Sequence, residues 1–356
     1  MSEHSSQLSE LFSITIQEQA SDLHITVGHP PTLRITGRLI PLLKRRELTP
    51  PETEGMAFAL MTEDQQQKFL KEKELDFSYT FEEKARFRIN AFFQRGYVSV
   101  ALRLIPANIR TVEELNLPPI MHEFTKPTQG FVLVTGPSSH GKSTTLAALI
   151  DEINHTRTDH VVTIEDPIEY LFKDDKSLIE QREVYQDTWS FARALKSVFR
   201  QDPDVIMLGE MRDPETMATA ITAAETGHLV FTTLHTNSAS QTIHRIVDSF
   251  PPEQQKQIAA QLSSSLLGVI SQRLVPRIKG GLIPACEIML ATPAVGNMIR
   301  ENKIHELDFV IETSAEIGMI SLNRSLSNLV KSREVSLVNA LKYSLNPGEL
   351  RRLLRK

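Results

Sequence analysis

Hydrophobic and polar positions divide this chain of 356 residues into two parts with different periods. From Ser21 to about Leu104, apolar and polar residues mostly alternate, and this period of two predicts half-buried β-strands. The strand-like stretches are DLHITVG, PTLRITG and RFRINAFFQRGYVSVALRLI. One helical pattern, from about Pro51 to Glu74, interrupts them. The first part is therefore predicted to be a small α+β domain of about a hundred residues.

The second part alternates short apolar runs with helical patterns, which is typical of a parallel sheet covered by helices on both faces. Its strand-like runs are FVLVTG, VVTIED, DVIMLGE and HLVFTTLH. After Pro251, helical patterns continue to the C-terminus. The proline-containing segment PANIRTVEELNLPPI separates the two parts, because X-Pro steps disfavour helix. We therefore predict an N-terminal domain at 1–106, a linker at 107–120 and an α/β domain at 121–356.

The strand FVLVTG runs directly into GPSSHGKST and then into a helical pattern. In such a loop, backbone N–H groups and the N-terminus of the helix surround phosphate oxygens. The spacing G-x-x-x-x-G-K-S predicts that Lys142 reaches the β- and γ-phosphates of ATP and that Ser143 binds Mg²⁺. The predicted nucleotide-binding residues are Gly136, Pro137, Ser138, Ser139, His140, Gly141, Lys142, Ser143 and Thr144.

Carboxylates follow two further strands of this part, and ligands of open α/β sheets bind at the carboxyl ends of the strands. Glu210 ends the apolar run DVIMLGE and is the second predicted Mg²⁺ ligand, since phosphoryl transfer uses a carboxylate there. Glu165 lies beside Asp166 and Glu169, and it is the candidate that orients or deprotonates an attacking water. The alternative for Glu210 is a solvated position in a loop.

Two histidines bracket the strand LVFTTL, with His228 before it and His235 after it. A histidine at the exit of a strand can hydrogen-bond a γ-phosphate or a carboxylate of the neighbouring strand. A lone histidine is more often structural. The pair around a candidate catalytic strand nevertheless favours a functional role.

Composition narrows the function only slightly. The net charge of −5 gives no basic signature, so nucleic acid is not expected as a partner. The single cysteine, Cys286, excludes an internal disulfide and a zinc site built from several cysteines. The N-terminus lacks the pattern of a secretion signal, and no apolar run reaches the length of a membrane span. These features favour a cytoplasmic protein that is able to dock on a membrane complex.

Three longer motifs resemble those of the secretion ATPases of type II secretion and type IV pili. They are TIEDPIEY, FRQDPDVIMLGEMRD and AETGHLVFTTLHT, which are similar to the Asp box, the Walker B region and the His box of that family. The resemblance runs from about Ser21 to the C-terminal helices, and SDLHITVGHPPTLRITG resembles the start of the family's N-terminal domain. It implies an α/β protein in which a PAS-like α+β domain precedes a RecA-like P-loop ATPase domain with C-terminal helices.

The resemblance also implies roles for individual residues. Glu210 is expected to organise the metal and water, and Glu165 is expected to activate the catalytic water. His228 and His235 are expected to couple the nucleotide to its neighbours.

The same resemblance indicates a source of arginines for the transition state. Arg86 and Arg88 lie two residues apart on one face of a predicted strand, and Arg103 lies on a nearby strand. In the family, arginines of the N-terminal domain reach the phosphates across a closing cleft, where a planar cation stabilises charge on the transferring group. The alternative is a solvated edge of the sheet.

Two absences separate this chain from the assembly and export members of the family. Those members usually carry an extra N-terminal domain and a four-cysteine zinc site, whereas this chain has no room for the first and only Cys286 for the second. The stretches TPAVGNMIREN and IGMISLNRSLSNLV resemble C-terminal helical motifs of the pilus retraction members. An accessory retraction ATPase shares these features, and a pilus assembly or type II secretion ATPase is a further alternative.

Some positions depart from the family pattern. Ser139 and His140 stand where the family typically has Gly and Ser. If the loop requires a positive φ at Ser139, the side chain there is strained by about 1 kcal/mol, and slower turnover follows. Gly296 replaces an arginine, Thr232 replaces a glycine and Phe199 replaces an aliphatic residue.

The sequence therefore predicts a homohexameric ATPase that uses ATP and Mg²⁺ to power type IV pilus retraction. It is expected in the cytoplasm, peripheral at the inner face of the inner membrane. The expected partners are copies of itself, an inner-membrane pilus platform protein and a paralogous retraction ATPase. A competing prediction, based on the altered phosphate loop, is a nucleotide-gated regulatory subunit that does not hydrolyse ATP.

Overall fold

The computed structural model describes residues 3–35, 37–82, 85–105 and 108–355. The chain forms two compact units, which are Met1–Asn108 with Asp166–Leu171, and Ile109–Glu165 with Phe172–Lys356. The predicted domain boundary between residues 106 and 107 lies outside the described residues, so the division into domain, linker and domain stays a prediction. Asp166–Leu171 belong with the first unit, whereas the sequence analysis had placed them in the α/β domain.

The first unit contains one antiparallel sheet. Its strands are β1 (Asp22–Ile25), β2 (Thr32–Ile35), β3 (Arg38–Pro41), β4 (Glu74–Phe81), β5 (Ala85–Gln94) and β6 (Tyr97–Ile105). These six strands lie in the order β3-β2-β1-β6-β5-β4, and every neighbouring pair is antiparallel. The structure confirms the predicted strands β1, β2, β5 and β6 and adds β3 and β4.

Helices cover one face of this sheet. They are α1 (Glu3–Gln17), α2 (Pro50–Ala59) and α3 (Glu63–Glu72). The single helical stretch predicted near 51–74 is two helices, because Thr49 and Thr62 each begin a helix with a capping box. Phe12 of α1 stacks on Phe87 of β5 with ring centroids 4.5 Å apart, and both side chains are buried. Alternate residues of β5 therefore face this core, which leaves its arginines on the opposite face.

The second unit contains a mainly parallel sheet. Its strands are β7 (Gly130–Thr135), β8 (His160–Glu165), β9 (Leu178–Glu183), β10 (Val205–Leu208), β11 (Leu229–Leu234), β12 (Leu266–Pro276) and β13 (Leu282–Leu290). The seven strands lie in the order β13-β12-β7-β11-β10-β8-β9, and only β13 runs antiparallel to its neighbour. The predicted parallel strands are confirmed. The prediction of helices alone after Pro251 is wrong, because LLGVISQRLVP and LIPACEIML are paired strands.

Helices pack on both faces of the second sheet. They are α4 (Lys142–Thr156), α5 (Phe191–Val198), α6 (Pro214–Glu225), α7 (Ala239–Asp248), α8 (Pro252–Ser265), α9 (Pro293–Arg300), α10 (Leu307–Thr313), α11 (Leu322–Lys331), α12 (Leu337–Tyr343) and α13 (Pro347–Arg355). Neighbouring residues of β7 belong to different cores, since Leu133 packs in one cluster and Val134 in the other. The strands β7, β10 and β11 are buried on both faces, as their apolar runs predicted. Among the described residues, no helix is long and apolar enough to cross a membrane.

Candidate active site

The loop between β7 and α4 has the backbone of a phosphate-binding turn. Gly136 has φ of 143°, and a Cβ built there would lie 2.3 Å from the carbonyl oxygen of Gln272. Only glycine fits that position. Gly141 has φ of 81° directly before the first turn of α4. Ser139 has φ of 64°, so the condition set for strain at this departure from the family pattern is met.

Lys142 places its ammonium group over this loop. Its side chain is buried, and Nζ donates to the carbonyl oxygens of Gly136 and Pro137 at 2.9 Å each. The same Nζ lies 3.4 Å from Nδ1 of His235. Ser143 and Thr144 follow in the first turn of α4, where N–H groups point toward the loop. The arrangement suits phosphate oxygens, because a cation and several N–H donors converge on one small region.

His235 connects the phosphate loop to Glu210. Its Nδ1 lies 3.3 Å from Oγ of Ser138, and its Nε2 lies 3.4 Å from Oε2 of Glu210. The other oxygen of Glu210 pairs with Nη2 of Arg212 at 2.5 Å. Glu210 is mostly buried, with a side chain 15% exposed, so its charge is held between two neighbours in a region of little solvent.

The register of the parallel strands explains why these groups meet. Thr135 at the end of β7 lies opposite Leu234 of β11, and Leu208 of β10 lies opposite Thr232. Leu208 also lies opposite Ile164 of β8. The carboxyl ends of four adjacent strands therefore carry the phosphate loop, His235, Glu210 and Glu165. We call this region the strand edge.

Glu165 lies at the end of β8 and is buried. Its Oε1 accepts hydrogen bonds from Oγ1 of Thr163 at 2.7 Å and from Nε2 of Gln181 at 3.2 Å. Gly209 follows β10 and lies beside Glu165, since a Cβ built there would be 3.5 Å from the Glu165 Cα. Within the described ranges, no group of three or more His, Cys, Asp and Glu side chains could hold a metal ion. A Mg²⁺ ion at Ser143 and Glu210 would depend on oxygens of the nucleotide.

Sequence reasoning missed Gln272, a buried residue of β12. Its Nε2 donates to the carbonyl oxygen of His140 at 2.7 Å, and its Oε1 accepts from Oγ1 of Thr145 at 2.7 Å. The amide thus fastens the phosphate loop and the start of α4 to the neighbouring strand. A polar Gln-Arg step inside the apolar run LLGVISQRLVP was the available signal, but the segment had been assigned to helix.

His228 lies at the amino-terminal end of β11, whereas the phosphate loop lies at the carboxyl ends of the strands. It precedes the first residue of β11, and its carbonyl oxygen accepts from the N–H of Gly130 at 3.0 Å. A strand of six residues spans roughly 20 Å, so this ring and the phosphate loop of the same chain are far apart. The ring is held by Ala223 O at 3.0 Å and by the Phe199 ring at 5.5 Å. The structure does not join His228 to the site, and its coupling role stays a prediction.

The three predicted arginines share one face of the first unit's sheet. Arg88 lies directly opposite Arg103 in the register of β5 and β6, and Arg86 is two residues from Arg88 on the same face. Their polar partners belong to the same unit: Ser78 at 2.5 Å and Thr80 at 3.1 Å for Arg86, Glu169 at 3.2 Å for Arg88, and Asp22 at 3.0 Å for Arg103. The arginines therefore form an ordered row on this face of the sheet.

Known proteins share the whole architecture. Residues 5–309 match the family described as type II/IV secretion system protein. The chain is 44% identical over 94% of its length to the type IV pilus retraction ATPase PilT of Pseudomonas aeruginosa, covering 96% of that protein. It is 38% identical over 98% of its length to the type IV pilus ATPase PilU of the same organism, covering 91% of it.

A solved structure adds a nucleotide to the comparison. A crystal structure of the pilus retraction motor PilT with bound ADP superposes with a TM-score of 0.89 and 47% identity. The match covers 97% of this chain and 98% of that one, so both units have counterparts in the solved structure.

Proposed function

Because this chain belongs to the type II/IV secretion system protein family, we propose that it is an ATPase motor that powers type IV pilus retraction. The observation that carries the proposal is the line of contacts from Lys142 through His235 to Glu210 at the ends of adjacent strands. The similarity to PilT over nearly the whole chain supports retraction as the work that ATP hydrolysis performs.

We assign the site residues as follows. The loop Gly136–Thr144 cradles the phosphates, and Lys142 neutralises the β- and γ-phosphate charge. Ser143 and Glu210 would hold Mg²⁺, which would neutralise negative charge on the phosphates. Glu165 accepts a proton from the attacking water, since its carboxylate lies at the same strand edge and is already fixed by Thr163. His235 links phosphate binding to Glu210, because one ring nitrogen faces the phosphate loop and the other faces Glu210.

We further propose that the arginine face of the N-terminal sheet supplies the cation for the transition state. We interpret this unit as PAS-like. Arg88 is the leading candidate, because its partner Glu169 lies only four residues beyond Glu165 in the chain and both side chains of the pair are more than one-third exposed. Such a pair contributes little stability and can exchange its carboxylate for a phosphate. Arg86 and Arg103 are the neighbouring candidates.

The proposed working form is a homohexamer in the cytoplasm at the inner face of the inner membrane. Its partners are a pilus platform protein and a paralogous retraction ATPase. A second candidate function is that of an accessory retraction ATPase, which the similarity to PilU over 98% of the chain favours. Pilus assembly, type II secretion and nucleotide-gated regulation without hydrolysis remain the competing functions.

Phosphate release from the purified chain with ATP and Mg²⁺ tests the enzymatic part. We expect Glu210→Gln to keep nucleotide bound and to lower turnover by at least about 100-fold, because the neutral amide cannot balance the metal charge. A wild-type protein that retains ATP without releasing phosphate would favour the regulatory subunit. Unchanged turnover in the variant would refute the assignment of Glu210.

A deletion strain tests the direction of work. Loss of a retraction motor should leave surface pili in place and abolish movement driven by pili. Bald cells would instead identify an assembly motor, and piliated cells that still move would identify an accessory ATPase.

A further inference from the structure

His140 lies in the phosphate loop directly before Gly141, and its side chain bonds to β12. Its Nδ1 accepts a hydrogen bond from the backbone N–H of Leu274 at 2.9 Å. The pairing of β12 with β7 ends where Ser271 lies opposite Thr135, because β7 turns there into the phosphate loop. Leu274 lies beyond that point, so the imidazole supplies an acceptor that the sheet does not.

The His140 ring also lies near the C-terminal helices. Its centroid lies 6.3 Å from that of Tyr343, the last residue of α12, at an interplanar angle of 58°. This spacing is within the range of paired aromatic rings. The helix itself is tied to β12, because Nδ2 of Asn339 donates to the carbonyl oxygen of Pro276 at 3.3 Å. The His140 side chain thus connects the phosphate loop, to which it belongs, with β12 and α12.

The backbone around His140 needs such support. Ser139 before it has φ of 64° and Gly141 after it has φ of 81°, so both neighbours adopt the left-handed conformation. Strained conformations persist only where the surroundings fix them. Here the carbonyl oxygen of His140 is held by Gln272 and its ring by Leu274. A loop fixed in advance loses less conformational entropy when a phosphate binds.

We propose that His140 is a positioning residue that connects the phosphate loop to the C-terminal helices through Tyr343, so that the state of these helices sets nucleotide affinity. The proposal rests on the assignment of nucleotide to this loop. Linkage is reciprocal, so nucleotide binding also alters the end of α12. A partner that contacts α12 would thereby sense whether the site is occupied.

A double-mutant cycle on the full chain tests the connection, with the dissociation constant of ADP measured by titration calorimetry. We expect His140→Ser to weaken ADP binding about fivefold and Tyr343→Ala to weaken it about threefold, since each removes support worth about one hydrogen bond or less. In the His140→Ser background, Tyr343→Ala should have no further effect. Val338→Ala is the matched control, because Val338 lies on the same helix with a side chain 77% exposed, and its variant should bind ADP like the wild type.

Hydrogen exchange at the Leu274 amide provides a readout that does not require nucleotide. His140→Ser should exchange there about tenfold faster than the wild type, with Tyr343→Ala intermediate. Failure of the wild type to bind ADP would refute the proposed function and leave the exchange result to decide the connection. Unchanged exchange at Leu274, or equal effects of Tyr343→Ala in both backgrounds, would overturn the role of His140.

Discussion

The strand edge of the second unit and the arginine face of the first unit organise their charges differently. At the strand edge, contacts run through Lys142, His235 and Glu210, which lie beyond the ends of three separate strands. On the arginine face, the charged groups are bound to nearby partners of their own unit, as Arg103 is to Asp22. The first arrangement is a converged site, whereas the second is an ordered surface.

Exposure separates the two regions further. Lys142 is 7% exposed, whereas the side chain of Arg103 is 65% exposed. The ammonium group of Lys142 is held by two carbonyl oxygens of the phosphate loop, which places it where the proposed phosphates would bind. Arg88 and Glu169 are both more than one-third exposed, and because exposed ion pairs contribute about 0–1 kcal/mol, this arginine can leave its partner at little cost. This difference supports the proposal that the phosphate loop binds nucleotide and that the arginines contribute mainly in the transition state.

Replacing Lys142 should have the largest effect on this comparison. Lys142→Ala removes the cation that the phosphate loop holds, and we expect ATP turnover to fall at least about 100-fold with loss of nucleotide binding. Lys126→Ala is the control, because that lysine is 64% exposed and pairs with the exposed Glu123. Phosphate release and ADP calorimetry measure both. Retained turnover in Lys142→Ala would show that the nucleotide lies elsewhere.

Replacing Arg88 should separate binding from turnover. We expect Arg88→Ala to lower kcat about 100-fold while the KM for ATP changes less than about threefold, because the guanidinium acts mainly in the transition state. Arg34→Ala is the matched control on the same sheet. Arg34 lies on β2, which is the neighbour of β1 on the side away from β6, and it pairs with Asp22. Equal losses in both variants would indicate a general effect of the sheet and contradict the assignment of Arg88.

The strand edge could be predicted from sequence because parallel strands convert sequence order into spatial order. Glu210 and His235 each follow a continuous apolar run, and the ends of such runs must meet. The strand β12 could not be predicted in the same way. Its apolar residues begin at Leu266, directly after the last residue of α8, with no Gly or Pro between them to mark the change. Gln272 was lost with that strand.

Side-chain partners were beyond the reach of the sequence. The arginines could be placed on one face by the period of two, but their partners Asp22 and Glu169 come from distant parts of the chain. For His228, in contrast, the sequence already contained the information needed to place it. Its position before a strand was visible in the sequence, and the direction of the strand already placed it away from the phosphate loop.

The two bracketing histidines give a smaller, paired test. His235→Ala should lower turnover about tenfold, because it removes the link between the phosphate loop and Glu210. His228→Ala should change turnover of the isolated protein less than about twofold and lower the Tm, because its contacts are with Ala223 and Phe199. Steady-state kinetics and thermal melting measure the two effects. A larger kinetic loss in His228→Ala would support its predicted coupling role between copies.

The smallest expected effect is a pH dependence that again separates the two regions. Burial lowers the pKa of His140 from 6.5, and the cations of Arg273 and Lys142 add to this. Burial also lowers the pKa of His24 in the first unit, where Asp22 opposes the shift and Arg34 and Arg103 reinforce it.

A lowered pKa means that the folded protein favours the neutral ring. The stability that each ring contributes is therefore present above pH 6.5 and is lost as the pH falls through the lowered pKa. Protonation of His140 also puts a second donor against the N–H of Leu274, which releases the phosphate loop. We expect ADP affinity to fall by less than about tenfold between pH 7.5 and 5.5, the factor that one unit of pKa can supply. Calorimetry across this range should show a shallower fall for His140→Ser than for the wild type and an unchanged fall for His24→Gln. Parallel profiles for wild type and His140→Ser would exclude His140 as a source of the pH dependence.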